Sequence, residues 1–213
     1  MHSASLIHST PDGENLIAYM ARVSNPNNQD NPDYNRLIRY LIKHKHWSPF
    51  EMVSMCVEIE TTRSVAAQIL RHRSFSFQEF SQRYSKTNKA QPTNIRRQDI
   101  KNRQNTIDDI DAFTVQDFQV KQQSLFDLSY KLYEEMLAAG VAKECARDVL
   151  PLSTPTKLYM HGTLRSWLHY CDLRCDNGTQ LEHKQIADDI RLIIAKQFPL
   201  CYQAMWNVTD SMS

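Results

Sequence analysis

The segment 71–84 concentrates more groups capable of chemistry than any other stretch of the chain. Its sequence, Arg-His-Arg-Ser-Phe-Ser-Phe-Gln-Glu-Phe-Ser-Gln-Arg-Tyr, contains three arginines, a histidine, a glutamate and three serine hydroxyls. A guanidinium fork beside a hydroxyl and a carboxylate suits an anion that lies next to a polar ring or a ribose. On composition alone, a phosphate-binding site and a cluster of surface salt bridges are equally open interpretations.

The backbone around this segment decides which of its side chains can act together. Apolar residues at helical spacing predict a helix over about 62–72, and the cations at its end, residues 71–73, favour the helix dipole. That explanation does not extend to Glu79, Ser81 and Arg83. These three side chains would alternate onto one face if the backbone there is extended.

A second candidate, Arg174, belongs to a predicted helix over about 164–175. One face of this helix is apolar and consists of Leu164, Trp167, Leu168, Cys171 and Cys175. Arg174 flanks that face beside Trp167. An arginine at an apolar border is unfavourable unless it is paired or bound, although a snorkelling side chain remains an alternative explanation.

The whole chain is typical of a single helix-rich α+β domain over residues 1–213, without repeats or linkers. Alternation of apolar residues predicts strands over 4–9, 52–60 and 156–161. Helical spacing predicts further helices after the Asp12-Gly13 turn, around 37–42, and over 115–139, 142–148 and 180–197. Residues 85–106 are polar and aperiodic, and we expect a long mobile loop there.

Two of the predicted helices carry terminal signals. Thr114 with Asp117 resembles an N-terminal cap of the longest helix, and Gly140 suits the position after its end. Thr179 with Glu182 has the spacing of a capping box for the last helix. The predicted apolar stripe of the longest helix consists of Leu125, Leu128, Leu132 and Met136.

Composition and charge exclude several classes of protein. The chain has only 4 glycines, where average usage of about 7% would give roughly 15, and they lie too far apart for a glycine-rich phosphate loop. A net charge of +1 gives no global argument for nucleic-acid or membrane binding. Five cysteines without a C-x-x-C, no secretory signal and no long apolar run indicate a cytoplasmic protein without a membrane span.

Residues 71–84 resemble the signature R-H-R-x-x-S-x-N-E-x-S-x-R-Y of the flavin-dependent thymidylate synthases, the ThyX family. Every specified position matches except the asparagine, which here is Gln78. Blocks that resemble the family in the same order are Ala-Arg-Val-Ser at 21–24, His-Lys-His-Trp-Ser-Pro-Phe-Glu at 44–51, Ala146-Arg147 with Leu150-Pro151, and Leu173-Arg174. The resemblance therefore covers most of the chain, apart from the loop 85–106.

The resemblance implies a reaction, a fold and an assembly. The family methylates the uracil ring of dUMP to give dTMP, with 5,10-methylenetetrahydrofolate as methylene donor, FAD as hydride carrier and NADPH as reductant. The implied fold is the thymidylate synthase-complementing protein fold, a helix-rich α+β domain with a central mixed or antiparallel sheet. The implied assembly is a homotetramer with active sites at the subunit junctions.

The resemblance also implies the site residues, position by position. The residues implied to hold dUMP are Gln68, Arg71, Glu79, Ser81, Gln82, Arg83, Arg147 and Arg174. The residues implied to hold FAD are Ser48, Arg71, His72, Arg73, Glu79, Thr163, Arg165 and His169. No metal is implied. Arginines with few nearby carboxylates would neutralise these anionic ligands without a glycine loop.

Arg174 is the residue to which the resemblance gives the central chemical role. A guanidinium at the N3/O4 edge of uracil would stabilise negative charge that develops on the ring. The family uses no cysteine nucleophile, and none of the five cysteines lies in the signature. Three further departures concern flavin contacts, since Thr163 and His169 stand where the family often has Asn, and Gly178 where a His is common.

Two other classes of protein compete with this interpretation. A nucleic-acid-binding module could use the arginines and the basic stretch 86–103, but the near-neutral net charge weighs against it. A metal enzyme would rest on weak spacings among His44, His46, His72, Cys171 and Cys175. Within the thymidylate synthase interpretation, the stretch 86–103 could instead attract the glutamate tail of folate or the phosphate of NADPH, or be only a solvated loop.

Overall fold

The computed structural model describes residues 2–206. Its strands are β1 (Ser3–Ser9), β2 (Ser54–Thr62), β3 (Ser76–Glu79), β4 (Arg97–Gln98), β5 (Thr106–Ile107) and β6 (Pro155–Thr163). Its helices are α1 (Gly13–Ala21), α2 (Asn35–Lys43), α3 (Arg63–Ile69), α4 (Ala112–Ala138), α5 (Lys143–Ala146), α6 (Leu164–Arg174), α7 (Leu181–Gln197) and α8 (Pro199–Trp206). The predicted helix-rich α+β class is confirmed.

Four strands form the central sheet, in the order β1-β2-β6-β3. Every neighbouring pair is antiparallel, so the sheet of the described chain is antiparallel rather than mixed. Met55, Val57 and Ile59 of β2 are fully buried, as the predicted alternation requires, because successive side chains of a strand point to opposite faces. The apolar face of the sheet is thereby turned toward the helices.

The helices α6 and α7 pack on the sheet, and α8 packs on α7. Trp167 of α6 is fully buried, and its Nε1 donates a hydrogen bond to the backbone oxygen of Met55 over 3.0 Å. Helix α7 packs on β1 and on α6, while α8 packs on α2. Helix α8 was not predicted from the sequence, because its eight residues give only a short apolar pattern.

The longest helix differs from its prediction at its start. It begins at Ala112, and its N-cap is Asp111, whose side chain accepts a hydrogen bond from the backbone N–H of Thr114. The prediction of Thr114 as the cap is therefore wrong. The predicted stripe does not enter the core of this chain, since Leu125 and Leu128 are 62% and 65% exposed.

Two further local predictions are wrong. Helix α7 begins at Leu181 with Gln180, not Thr179, as its N-cap and without a side-chain cap, so the predicted capping box does not form. The carboxylate of Glu182 accepts a hydrogen bond from Arg96 instead. Strand β3 ends at Glu79, so Ser81 and Arg83 do not continue its alternation. The backbone instead turns after Phe80, with Tyr84 N–H donating to Ser81 O.

The segment 85–106 is largely irregular, as predicted, and ends in the two-residue ladder between β4 and β5. Four of the six cations of the basic stretch 86–103 form ion pairs with carboxylates: Lys86 with Glu134, Lys89 with Asp127, Arg96 with Glu182, and Arg97 with Asp109. Of these, the Arg96–Glu182 pair is the most buried. The mobility of the segment stays a prediction.

Within residues 2–206, no helix has both the length and the apolar character that a membrane crossing requires.

Candidate active site

Arg174 and His72, both predicted from the sequence, are in direct contact. Arg174 ends α6, where a cation also meets the negative end of the helix dipole. His72 lies in the turn after α3. The Nε of Arg174 donates a hydrogen bond to Nε2 of His72 over 3.0 Å, so this ring nitrogen carries no proton. The contact leaves the two terminal amino groups of the guanidinium available for a ligand.

Burial keeps His72 neutral. Desolvation lowers its pKa to about 4, and the positive charges of Arg174 and Arg71 act in the same direction. Its ring packs edge-to-face on Tyr170 of α6, with 4.9 Å between the ring centroids. Sequence analysis did not single out Tyr170. Its position four residues before Arg174, on the same side of a helix, was the signal that could have identified it.

Glu79 lies at the end of β3 and is held by two residues that the sequence analysis did not identify. Its Oε1 accepts hydrogen bonds from Nη1 of Arg63, over 2.6 Å, and from Oγ1 of Thr156, over 2.9 Å. Arg63 opens α3 and Thr156 lies in β6, beside β3 in the sheet. Only the tertiary pairing brings these three residues together, so no sequence spacing could have indicated the contact.

The turn 81–85 places the predicted phosphate contacts differently from the extended strand that was expected. Oγ of Ser81 accepts a hydrogen bond from the backbone N–H of Arg83 over 3.4 Å, and the Arg83 side chain pairs with Glu144 over 3.0 Å. Gln82 is buried, and its Nε2 has no partner within residues 2–206. An unpaired buried amide is unfavourable, so this group is a candidate for contact with a ligand or a second chain.

The predicted flavin residues around the start of α6 form a second group. Oγ1 of Thr163 caps α6 by accepting from the backbone N–H of Ser166. His169 packs edge-to-face on Trp47, and burial followed by the charge of Arg165 lowers its pKa. Arg165 itself forms an ion pair with Glu51, which ends the short 3-10 helix Ser48–Glu51.

The remaining predicted residues make few contacts. Nε2 of Gln68 donates to Oε1 of Gln180 over 2.5 Å, which ties α3 to the residue before α7. Arg71 and Arg73 are exposed, and Arg147 is half-buried in the 3-10 turn after α5. Within the described chain, these three arginines have no carboxylate partner. The expectation that the site arginines have few nearby carboxylates thus holds for Arg71, Arg73 and Arg147. It is wrong for Arg83 and Arg165, which form ion pairs with carboxylates.

The site is open in the single chain. Five clefts of about 440 to 580 Å³ are present between other residues, and none of them is lined by Arg71, Arg83, Arg147 or Arg174. In the part of the chain that is described, no three His, Cys, Asp or Glu side chains converge as a group that could hold a metal. The candidate site is therefore an arginine-rich surface around the ends of α3, β3 and α6.

The fold is shared with a known methylase of pyrimidine nucleotides. The crystal structure of the UMP/dUMP methylase PolB from Streptomyces cacaoi, bound with 5-Br dUMP, matches with a TM-score of 0.83 and 26% sequence identity over 96% of this chain and 94% of that chain. The same methylase bound with 5-Br UMP matches with a TM-score of 0.84, over 96% and 93% of the two chains.

The sequence comparisons identify the family. Residues 5–200 match the family model "Thymidylate synthase complementing protein". The flavin-dependent thymidylate synthase of Synechocystis sp. is 55% identical over 90% of this chain and 89% of its own length. A "Probable flavin-dependent thymidylate synthase" of Paramecium bursaria Chlorella virus 1 is 48% identical over 94% of each chain. The chain belongs to the flavin-dependent thymidylate synthase family and is a methyltransferase.

Proposed function

We propose that this protein converts dUMP to dTMP, taking the methylene group from 5,10-methylenetetrahydrofolate. When bound, FAD supplies the hydride, and NADPH reduces the flavin. The observation that carries the proposal is the Arg174–His72 contact, which holds one edge of a guanidinium and leaves its other donors available. Such a guanidinium can stabilise negative charge that develops at the N3/O4 edge of a uracil ring.

The uncompensated arginines fit the charge of the two nucleotides. Arg71, Arg73 and Arg147 lie in the signature or in a family block and have no carboxylate partner within residues 2–206, so each can bind a phosphate oxygen without first losing an ion pair. Guanidinium groups bind phosphate through paired N–H donors. We assign Arg71 to both ligands, Arg73 to FAD and Arg147 to dUMP, as the resemblance implies.

Two other assigned arginines can exchange an ion pair for a ligand. In the Arg83–Glu144 pair the side chains are 56% and 51% exposed, and the Arg165–Glu51 pair is almost as exposed. Exposed pairs of this kind stabilise a protein by only about 0–1 kcal/mol. A phosphate can therefore replace either carboxylate at little cost. Arg83 is assigned to dUMP and Arg165 to FAD.

The remaining assignments follow the resemblance to the family. Gln68, Glu79, Ser81 and Gln82 are assigned to dUMP, together with Arg174, and Ser48, His72, Glu79, Thr163 and His169 are assigned to FAD. The buried Nε2 of Gln82, without a partner in the described chain, supports a ligand contact at that position. Two hydrogen bonds fix Oε1 of Glu79, so the second carboxylate oxygen also has a defined orientation. This supports its assignment as an acceptor for a ribose hydroxyl or a ring N–H.

The exposed face of α4 supports the proposed homotetramer. Leu125, Leu128 and Leu132 are spaced three and four residues apart and therefore lie on one side of the helix, and they are 62%, 65% and 44% exposed in the single chain. Contiguous exposed apolar surface usually marks an interface. A second copy of the chain on this face would also explain why the candidate site is open in one protomer. Cytoplasmic location and the absence of nucleic-acid or membrane partners remain predictions.

The proposal is tested by following dTMP formation with purified protein. The complete mixture contains dUMP, 5,10-methylenetetrahydrofolate, FAD and NADPH, and each component is omitted in turn. We expect product only in the complete mixture and flavin absorbance that bleaches when NADPH is added. A preparation that binds no FAD, or that forms product without it, contradicts the proposed reaction.

A further inference from the structure

A buried polar pair lies directly behind the Arg174–His72 contact. It consists of Tyr170 on α6 and His183 on α7, whose hydroxyl oxygen and Nε2 are 2.9 Å apart. His183 is fully buried and Tyr170 is 2% exposed. The other ring nitrogen of His183, Nδ1, has no partner within residues 2–206. A buried polar pair in an otherwise apolar helix interface needs an explanation beyond packing.

Both rings of the pair lie close to the ring of His72. The His72 ring lies edge-to-face on Tyr170, and its centroid is 6.1 Å from that of His183. Phe75 packs against both His72 and Tyr170. These rings exclude water from one side of His72. The His72 ring therefore packs against the Tyr170–His183 pair, while its Nε2 accepts the hydrogen bond of Arg174.

We propose that Tyr170 and His183 are positioning residues that keep His72 neutral and oriented, so that His72 fixes the guanidinium of Arg174. The inference rests on the proposed function, in which Arg174 acts on the uracil ring. His183 and Tyr170 touch neither ligand in this account. They act through His72, which must accept the hydrogen bond of Arg174 and can do so only without a proton on Nε2.

The charges around the pair also favour a neutral His72. His72 is flanked by the guanidinium groups of Arg71 and Arg174, and His183 by the same two arginines and by His72. Burial is the largest cause that lowers the pKa of His183, to about 3. Tyr170 is surrounded by Cys171, Cys175 and Arg174, and burial raises its pKa. Within residues 2–206, no carboxylate is among the groups that act on either histidine. Because burial is the largest cause that lowers the pKa of His72, opening this region to water favours its protonated form.

The decisive variant is His183→Ala, which removes the ring behind His72 and admits water. The pKa of His72 then rises from about 4 toward its ordinary 6.5. If the pKa reaches 6.5, the neutral fraction at pH 6 falls from nearly all molecules to roughly a quarter, so kcat should fall by up to about fourfold relative to pH 8.5, and by less to the extent that the remaining arginines hold the pKa down. The wild-type protein should show no such change. His183→Gln, which can still bond to the Tyr170 hydroxyl and fills the space, should restore much of the wild-type pH profile.

Tyr170→Phe provides a second variant that keeps the aromatic packing, and Tyr133→Phe on α4 is the matched control for removal of a buried tyrosine hydroxyl. Tyr170→Phe should shift the acidic limb of the pH profile of kcat in the same direction as His183→Ala, and Tyr133→Phe should not shift it. Uniform loss of kcat at every pH in both pair variants, without a shifted acidic limb, would show a merely structural role and overturn the inference.

A readout independent of turnover separates this inference from the proposed function. Protein labelled with ¹⁵N in histidine reports the tautomer and protonation of His72 by NMR, and His72→Gln assigns its signal. We expect a neutral His72 with its proton on Nδ1 at pH 6 in the wild type and a protonated ring in His183→Ala. A neutral ring in both overturns the inference even if dTMP forms. The expected shift in a protein that makes no dTMP contradicts the proposed function alone.

Discussion

The sharpest single perturbation is Arg174→Ala. The substitution removes the guanidinium proposed to stabilise charge on the uracil ring, while the buried face of α6, including Trp167, is left intact. It also removes one hydrogen bond to His72, which should lower the free energy of unfolding by only about 1 kcal/mol. Fold, flavin binding and assembly should therefore survive.

The loss of turnover can be estimated from the same geometry. Removing one preorganised donor to developing negative charge typically raises the activation free energy by about 2.7–4 kcal/mol, or 10²–10³-fold in kcat. Arg174 is half-buried in the single chain. Partial solvent screening favours the lower end of that range, so we expect a loss of roughly 100-fold in kcat.

The assay is tritium release from [5-³H]dUMP at saturating dUMP, with flavin absorbance and sedimentation measured on the same preparation. Arg191→Ala is the control, because Arg191 is also a partly exposed arginine but lies on α7 near Asp188. Near-normal turnover of Arg174→Ala, with flavin bound, would refute the assignment of Arg174.

Three further predictions follow from other parts of the structure. Ser81→Ala should retain turnover within about tenfold, because the proposed chemistry uses electrostatic stabilisation and no serine nucleophile; complete loss of turnover with dUMP still bound argues for covalent catalysis. Leu128→Asp should dissociate the assembly in light scattering, whereas Leu192→Asp on α7, where the leucine is equally exposed at 65%, should not; an unchanged mass for Leu128→Asp removes the α4 face from the interface. The free energy of unfolding should fall on acidification from pH 6.5 toward pH 4, because burial lowers the pKa values of His72 and His183, so the unfolded chain binds more protons in this pH range. The slope should be up to about 1.4 kcal/mol per pH unit for each histidine. Chemical denaturation at several pH values should show a shallower slope for His183→Gln than for the wild type, and equal slopes contradict the assignment of buried neutral rings.

The sequence predicted the regular elements well where a periodic apolar pattern meets the core of the same chain. Strand β2 is the clearest case, because Met55, Val57 and Ile59 alternate and are buried. The pattern on α4 was equally regular, but its leucines face outward. Periodicity identifies an apolar face and cannot tell whether the chain itself or a second copy covers it. The sequence therefore predicted the apolar stripe of α4 but not that Leu125 and Leu128 are exposed in the single chain.

The candidate site was likewise predictable from the sequence only in part. The signature pointed to His72 and the Leu173-Arg174 block to Arg174, and the structure places these two residues in contact. The partners that hold the site residues were not predictable, because Arg63 reaches Glu79 only through the pairing of β3 with β6 and the placement of α3. The burial of His183 likewise depends on how α7 packs against α6. Contacts that depend on tertiary packing in this way produce no recognisable residue spacing in the sequence.

The most direct test of the account is dTMP formation by the purified protein from dUMP, 5,10-methylenetetrahydrofolate, FAD and NADPH. The account predicts product that depends on each of the four components and on Arg174. A protein that binds FAD and dUMP but transfers no methyl group under these conditions, or one that forms dTMP equally well after Arg174→Ala, would contradict it.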